Sequence, residues 1–428
     1  FYVNDASLVG DEYATAIGDN ANSGKDAAHP MASLTALLRA YDLNPGDVVY
    51  VDSGSYRHYT NAVLYTQDSG VTIRGPVELG DLATINRGNA NTGQFTVQFY
   101  GADDVTIEHL SITGARTGVL FTAGTDSDRN TLRTNELHNA VDYGIDINTG
   151  NDNNRVLGNL VRNNGTGLYL YSNSGNRIED NEIRNNDGDG AYYYSTTNGT
   201  FSNNKVHDNR SRGLYTYGAT ALQVIGNEIY NQSSQGIFNY YGTALFEGNL
   251  LHHNATAFEG YQGGTVHANW IYANTTGVTG YDLTVDANRI YSNSVGIVDT
   301  GYSRITNNIV YANTNQGIRL QGGHTVADGD GLFNNTVLQL VGEGIRLTSS
   351  ATSVVMQNNL VRVDAGYGVN VDSNSQSGLV SNYNLLHRGP AANAYIGLWN
   401  AATQADLAAW RAASSRDAQS STGNPLLL

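Results

Sequence analysis

From residue 135 onward, an asparagine recurs along the sequence at near-regular intervals. An aliphatic residue lies two positions after each of these asparagines, and an apolar residue lies three positions before it. The spacing runs from 19 residues (Asn269 to Asn288) to 27 residues (Asn308 to Asn335). The full set is Asn135, Asn159, Asn181, Asn204, Asn227, Asn249, Asn269, Asn288, Asn308, Asn335 and Asn359. A period of this length is typical of a solenoid built from short coils.

Each coil contains short segments of alternating apolar and polar residues, separated by Asn and Gly turns. One such coil cannot bury its apolar face, whereas stacked coils can. A helical solenoid is disfavoured because no long window has a 3.6-residue period, and a leucine-rich repeat because its strand consensus is missing. The sequence therefore predicts an all-β parallel β-helix of roughly 12–14 coils.

The sequence predicts a capping segment at each end of the β-helix. Residues 31–43 have helix-period apolar positions, and residues 404–413 again favour a helix. A helix at each end of the β-helix would cover the apolar core and the exposed sheet edges. We expect an N-terminal cap with a helix at 1–47, a β-helix at 48–385 and a C-terminal cap at 386–428.

A second asparagine column follows the first by five residues. Stacked Asn side chains can hydrogen-bond from coil to coil, and Asn tolerates the left-handed backbone of a bend. Both columns are therefore interpreted as structural. The second column contains Asn164, Asn186, Asn209, Asn254, Asn274, Asn293 and Asn313, with Gln232 once.

Composition excludes several function classes. The net charge is -16 and only two lysines are present, which argues against nucleic acid as a partner. There is no cysteine, so disulfides and thiol chemistry are excluded. No apolar run reaches the length of about 18 residues that a membrane span needs. Ample apolar content with little charge favours an ordered extracellular or cell-surface protein.

Several segments resemble a known superfamily. Tyr2-Val3-Asn4, the stretch 18–24 and the stretch 45–51 resemble the N-terminal cap and first coil of right-handed parallel β-helix proteins of the pectate-lyase-like superfamily. The ending, with Leu407 to Arg411, Asp417-Ala418 and Asn424-Pro425-Leu426, resembles the closing segment of modules in large secreted bacterial proteins. The resemblance implies a right-handed coil and a monomeric module within a longer chain. It leaves function open, because the superfamily includes polysaccharide lyases, glycosidases, epimerases, tailspikes and adhesins.

Tyrosine recurs two and four residues after the glycine of successive coils. The residues between these tyrosines are the inward ones, so the two-residue period points the tyrosines outward. Successive rings would lie about 5 Å apart, within stacking range. The candidate ligand-binding residues are Tyr169, Tyr171, Tyr192, Tyr194, Tyr215, Tyr217, Tyr240, Tyr261, Tyr281 and Tyr302. A further column three residues after the first Asn contains Tyr230, Tyr272, Tyr291 and Tyr311, with His138, Arg162, Arg184, His207 and His252 in the same slot of other coils.

Three interpretations of these columns stay open. They are a scaffold that stabilises the sheet, a surface that binds polysaccharide or a cell-surface glycan, or a redox relay of stacked phenols. The leading hypothesis is a non-catalytic extracellular module that presents tyrosine ladders as scaffold, as glycan-binding surface, or both. The alternative is a polysaccharide lyase, glycosidase or epimerase.

A candidate catalytic patch surrounds Lys205, the only lysine on the coils. It comprises Glu182, Lys205, His207, Glu228 and Tyr230, which occupy matching slots of neighbouring coils. A surface ladder of Glu, Lys and Glu explains the same pattern. Asp187 and Asp189 are expected to pair with Arg210 and Arg212 of the next coil.

Metal signals are weak, and no cofactor is expected. Calcium is considered only for Asp187 with Asp189 and for the stretch from Asp328 to Gly331, neither of which has EF-hand spacing. His252 and His253 are neighbours on a strand and are expected to point in different directions, which disfavours a histidine pair for zinc.

Overall fold

The computed structural model describes residues 1–78, 80, 82–324 and 329–425. Asp328 and Leu426, which the sequence analysis named, lie outside the described residues. The chain divides into two compact units, Phe1–Gln223 and Val224–Leu428, and the strand Gln223–Ile225 contains the division. Each unit is a stack of parallel turns that contribute one strand to each of three sheets, called A, B and C below.

In the first unit, sheet A contains Tyr2–Val3, Val48–Val51, Thr72–Arg74, Thr106–Glu108, Thr131–Arg133, Arg155–Leu157, Arg177–Glu179 and Thr200–Ser202. Sheet B contains Gly54–Arg57, Ala83–Asn89, Leu110–Ala115, Glu136–His138, Leu160–Arg162, Glu182–Arg184 and Lys205–His207. Sheet C contains Ala62–Tyr65, Phe95–Tyr100, Thr117–Phe121, Tyr143–Ile147, Thr166–Tyr171, Ala191–Tyr194 and Leu214–Tyr217. The described residues of this unit thus form seven turns, counted on sheet B.

In the second unit, sheet A contains Leu245–Glu247, Thr265–His267, Thr284–Asp286, Arg304–Thr306, Gly331–Phe333, Val355–Gln357 and Val380–Asn382. Sheet B contains Glu228–Tyr230, Leu250–His252, Trp270–Tyr272, Arg289–Tyr291, Ile309–Tyr311, Thr336–Gln339, Leu360–Val363 and Leu385–Arg388. Sheet C contains Gln235–Tyr240, Thr256–Tyr261, Thr276–Tyr281, Val295–Asp299, Gln316–Leu320, Gly342–Leu347, Gly366–Val371, Ala394–Trp399 and the antiparallel Ala402–Gln404. The described residues of this unit form eight turns.

The parallel β-helix predicted from the repeat is confirmed. Its described residues form about 15 turns rather than 12–14, because the first turns, such as the one that begins at Val48–Val51, lack the recurrent asparagine. The apolar residue of each sheet A strand points inward and stacks on its equivalent in the next turn, as Val156 does on Ile178. The burial of these columns drives coil stacking.

The first asparagine column forms a buried ladder. Asn181 Oδ1 accepts hydrogen bonds from the backbone N–H of Asn159, at 2.8 Å, and from its side-chain amide, at 3.0 Å. Asn181 in turn donates its backbone N–H to Asn204 Oδ1, at 2.9 Å, and these asparagines are almost fully buried. Each side chain thereby satisfies backbone groups that a turn would leave unpaired.

The coil glycines are required by a close approach between turns. A Cβ atom added to Gly167 would lie 2.3 Å from the carbonyl oxygen of Gly190, and one added to Gly190 would lie 2.6 Å from that of Gly213. No side chain fits at these positions unless the next turn moves away.

Two short α-helices lie near the chain ends. Leu34–Ala40 begins after Ser33, whose hydroxyl accepts a hydrogen bond from Ala36 N–H, and it buries Leu34 and Leu37. Leu407–Ser414 begins after Asp406 and buries Trp410. Both helices are shorter than the predicted helical stretches. The boundaries predicted for the N-terminal cap (1–47), the β-helix (48–385) and the C-terminal cap (386–428) stay predictions. The described residues include 3₁₀ turns at Thr66–Asp68 and Ser373–Ser375. No described helix has the length and apolarity to cross a membrane.

Candidate functional site

Six tyrosines of the first unit lie together on the outer side of sheet C. We call Tyr169, Tyr171, Tyr192, Tyr194, Tyr215 and Tyr217 the tyrosine face. Tyr169, Tyr192 and Tyr215 pair in register from strand to strand, and so do Tyr171, Tyr194 and Tyr217. The residues between them, Leu170, Tyr193 and Thr216, are fully buried. The two-residue period of the strands therefore points the six rings outward, as the sequence predicts.

The rings of the tyrosine face stack along the turns. In one column, the Tyr171–Tyr194 and Tyr194–Tyr217 ring centroids are 5.2 Å and 4.8 Å apart, with interplanar angles of 30° and 7°. In the other, Tyr192 and Tyr215 stack at 4.4 Å. Tyr171 is 38% exposed and the other five are half-buried. The tyrosine face is thus a contiguous aromatic surface that is partly exposed to solvent.

Charged groups border the tyrosine face. The Arg212 guanidinium lies 3.8 Å from the centroid of the Tyr215 ring, in cation–π contact. Asp146 precedes Tyr169 in the same register column, and the Tyr143 ring stacks on that of Tyr169 at 5.0 Å. Burial raises the pKa of Asp146 to about 7, although Asn148 donates a hydrogen bond to its carboxylate. Burial also raises the pKa of Tyr169 to about 12.

The four tyrosines that the sequence assigned to the same columns in the second unit are arranged less regularly. The Tyr240 and Tyr261 rings meet edge-on at 6.1 Å, and the Tyr281 and Tyr302 rings meet edge-on at 5.3 Å. Tyr302 has a left-handed backbone (φ 61°) and lies beyond the strand, which explains its drift out of register. A parallel ring stack in this unit instead occupies sheet B.

That stack contains Tyr230, His252, Tyr272, Tyr291 and Tyr311. Successive ring centroids are 4.9, 5.0, 5.1 and 4.9 Å apart, and no interplanar angle exceeds 13°. The sequence identified this column, but its regular stacking follows from the in-register pairing of the strands.

The catalytic candidates divide between the two units. In the first, Glu182 and Lys205 are in-register neighbours on sheet B. Glu182 pairs with Arg184 at 2.8 Å and with His207 Nε2 at 3.2 Å, while His207 Nδ1 lies 2.6 Å from Asp208. Glu182 and His207 thus both have polar side-chain partners, Arg184 and Asp208 among them.

The other two candidates, Glu228 and Tyr230, lie on one strand of the second unit. Glu228 Oε1 is 3.3 Å from His252 Nε2, and the Tyr230 ring stacks on the His252 ring. The sequence placed Tyr230 and His252 in one column, whereas the contact between Glu228 and His252 was not predicted.

Asp187 and Asp189, the first of the two places considered for calcium, are paired with arginines. Asp187 lies 2.9 Å from Arg210, and Asp189 receives two hydrogen bonds from the Arg212 guanidinium. This is the pairing expected from the sequence.

A family model described as "Periplasmic copper-binding protein (NosD)" matches residues 80–282 and 253–388, well over half of the chain. The chain belongs to the NosD family. No curated protein matches its sequence. The NosD-family match and the parallel turns confirm the resemblance to β-helix proteins drawn from the sequence.

Solved structures are similar to this NosD-family chain. The A-module of mannuronan C-5 epimerase AlgE4 from Azotobacter vinelandii is 18% identical, with a TM-score of 0.56 over 83% of this chain and 100% of that one. The AlgE6 A-module of the same organism is 17% identical, with a TM-score of 0.47 over 92% and 94%. Pectate lyase Pel9A is 15% identical, with a TM-score of 0.43 over 77% and 78%. At such identities the likeness of the AlgE4 module shows the fold alone.

The expectation that no cofactor is involved, with calcium as the metal considered, is wrong for the NosD family, which is described as copper-binding. Among the described residues no group of three or more His, Asp or Glu side chains is placed to hold a metal ion. Cysteine is absent, and the two methionines, Met31 and Met356, are buried. The copper-type donors that come together are two imidazole nitrogens, His252 Nδ1 and His253 Nδ1, 2.8 Å apart.

The expectation that His252 and His253 point apart is therefore also wrong. His253 has a left-handed backbone with φ of 55°, directly after the strand Leu250–His252. This turn breaks the two-residue alternation and brings the second ring back toward the first.

Proposed function

We propose that this NosD-family chain is a non-catalytic module that binds polysaccharide on the tyrosine face of its first unit. The observation that carries the proposal is the outward stacking of six tyrosines in two adjacent columns. Aromatic faces pack on the apolar faces of sugar rings, while phenol hydroxyls hydrogen-bond to sugar hydroxyls. A contiguous aromatic surface of this kind on a soluble domain marks an interaction site.

The charge around the face favours a neutral polymer. The chain has a net charge of -16, which repels uronate-rich chains at a distance. The described border of the face includes one arginine, Arg212, whose guanidinium already pairs with Asp189. A neutral glucan, mannan or xylan is therefore the expected ligand class.

The contacts of Glu182 and His207 support a non-catalytic role. The Glu182 carboxylate already contacts the Arg184 guanidinium and His207 Nε2, and His207 Nδ1 already contacts the Asp208 carboxylate. The description of the NosD family as periplasmic supports a location outside the cytoplasm, which is where polysaccharide is met.

The experiment compares two triple variants by affinity electrophoresis in gels that contain neutral or uronate polysaccharides. Tyr171→Ala, Tyr194→Ala and Tyr217→Ala remove one column of the face. Tyr272→Ala, Tyr291→Ala and Tyr311→Ala remove a stack of similar ring spacing from the other unit. We expect a neutral polysaccharide to retard the native protein and the second variant, but not the first. Equal retardation of all three proteins, or of none, would refute the proposal.

A polysaccharide-active enzyme is the alternative, and Asp146 is the observation that favours it. A carboxyl group with a pKa near 7 can both donate and accept a proton at neutral pH, and Asp146 lies beside the tyrosine face. New reducing or unsaturated ends on incubation with polysaccharide, lost in Asp146→Asn, would favour this alternative. The redox hypothesis for the stacked phenols stays a prediction.

A further inference from the structure

Three tyrosines of the second unit stack face to face on the outer side of sheet B. Tyr272, Tyr291 and Tyr311 pair in register on successive strands, and all three are half-buried. The ring centroids of Tyr272 and Tyr291 are 5.1 Å apart and those of Tyr291 and Tyr311 are 4.9 Å apart, with interplanar angles of 13° and 12°. Neighbouring strands are separated by about 4.8 Å, so the side chains run parallel and their hydroxyl-bearing ends lie side by side.

The two ends of this stack differ. The His252 ring covers the far face of Tyr272, at a centroid distance of 5.0 Å. Beyond Tyr311 the next residue in register is Leu338, and these two residues line a cavity of about 200 Å³ together with Leu340 and Arg362. The Tyr311 ring therefore has space on the side away from Tyr291. One of its edges can turn into that space while the other edge moves toward Tyr291.

We propose that Tyr291 and Tyr311 form a site of oxidative modification, at which hydrogen peroxide and a haem peroxidase join the two rings by a carbon–carbon bond. An oxidised phenol shares its unpaired electron with the ring carbons beside the hydroxyl, and the parallel stack brings such carbons of the two rings side by side. The chain has no cysteine, so no disulfide can join its turns. A bond between these tyrosines would link two neighbouring turns, which in a repeat array can otherwise open locally.

The reaction balances with one molecule of hydrogen peroxide. Burial, together with the neighbouring phenols of Tyr311 and Tyr272, raises the pKa of Tyr291, so its phenol is protonated at neutral pH. Each phenol loses one electron and one proton, and the two phenoxyl radicals join through the ring carbons beside their oxygens. The hydrogen on each joined carbon then moves to the oxygen and restores both phenols. The peroxide takes up the two electrons and two protons and becomes two molecules of water.

Two other tyrosine pairs of the second unit provide an internal comparison. The rings of Tyr240 and Tyr261 meet at 75°, and those of Tyr281 and Tyr302 meet at 69°. A ring in such an arrangement points its edge at the face of its neighbour, so the carbons beside the two hydroxyls are not aligned. We therefore expect these pairs to couple poorly, although the same oxidant reaches the same unit.

The test oxidises the full chain with horseradish peroxidase and limiting hydrogen peroxide, in the absence of polysaccharide. Dityrosine fluorescence and a loss of two hydrogen atoms from the intact monomer report the bond. Trypsin cleaves after Arg289, Arg304 and Arg319, so Tyr291 and Tyr311 fall in separate peptides, 290–304 and 305–319, and mass spectrometry can locate the bond. Mapping is needed because Tyr194 and Tyr217 of the tyrosine face also stack, at 4.8 Å.

Tyr311→Phe keeps the stacked ring and removes the phenol. Tyr302→Phe is the matched control, because Tyr302 lies in the same tryptic peptide as Tyr291 but meets its neighbour edge-on. Circular dichroism verifies that both variants fold.

We expect the native protein and Tyr302→Phe to give the joined peptides 290–304 and 305–319, and Tyr311→Phe to give at least tenfold less. The yield should also fall at least tenfold when the native protein is oxidised in unfolding concentrations of urea. Absence of this peptide pair from the native protein, a bond confined to the tyrosine face, or equal yields from folded and unfolded protein would overturn the proposal. None of these results depends on whether polysaccharide binds.

Discussion

Replacement of one ladder asparagine should cost far more stability than its size indicates. Asn181→Ala removes five hydrogen bonds. Two of them are accepted from Asn159, and three are donated to Val156 O, Glu179 O and Asn204 Oδ1. The backbone N–H of Asn159 then stays buried without an acceptor. An unsatisfied buried N–H costs about 1–3 kcal/mol, and each net hydrogen bond contributes about 1 kcal/mol. We expect a loss of about 3–5 kcal/mol.

Hydrogen exchange measured by mass spectrometry is the appropriate assay, because a repeat array can open locally. The Asn159 amide should exchange at least a hundredfold faster in Asn181→Ala. Asn203→Gly is the matched control, since Asn203 is exposed and has a left-handed backbone (φ 55°) that glycine adopts freely. This control should stay within about 0.5 kcal/mol of the native protein. Native exchange at Asn159 in Asn181→Ala, or equal acceleration in both variants, would refute the role of the ladder.

Two further predictions concern single residues of the first unit. Burial raises the pKa of Asp146 from 3.8 to about 7 in the folded protein. As pH rises from 4 to 8, the carboxyl group ionises in the unfolded chain before it ionises in the folded one. The free energy of unfolding should therefore fall by up to about 4 kcal/mol over this range. The Tm of Asp146→Asn should therefore exceed the native Tm by an amount that grows over this range, and a pH-independent difference would contradict the assignment. Gly167→Ala places a Cβ 2.3 Å from Gly190 O and should cost at least about 2 kcal/mol in urea unfolding. Gly323→Ala is the control, because a Cβ added there meets no atom within 4 Å beyond its chain neighbours. This substitution should leave the stability unchanged. Equal losses of stability in the two variants would show that the close approach at Gly167 does not matter.

The fold could be predicted because its determinants repeat in the sequence. Each turn places an apolar residue such as Val156 or Ile178 at the same offset from a ladder asparagine, and the period of the pattern equals the length of one turn. The direction of Tyr171 and Tyr194 was predictable for a similar reason, since strand side chains alternate strictly.

The histidine pair could not be predicted, because the alternation rule ends where the strand ends. Nothing in the residue type of His253 indicates its left-handed backbone. The signal that could have found it is the recurrence of the slot, in which His138 is followed by Asn139 and His207 by Asp208, residue types that tolerate positive φ. The raised pKa of Asp146 was equally hidden, because it depends on burial beside Tyr143 and Tyr169 rather than on sequence spacing.

Hydroxyl-radical footprinting can show whether polysaccharide lies on the tyrosine face, since it maps the surface that a bound ligand covers. The protein is oxidised with and without a saturating neutral polysaccharide, and tyrosine oxidation is quantified by mass spectrometry. We predict protection of Tyr171, Tyr194 and Tyr217, with unchanged oxidation of Tyr291 and Tyr311. A polysaccharide that binds without protecting those three tyrosines, or that protects only the second unit, would contradict the account.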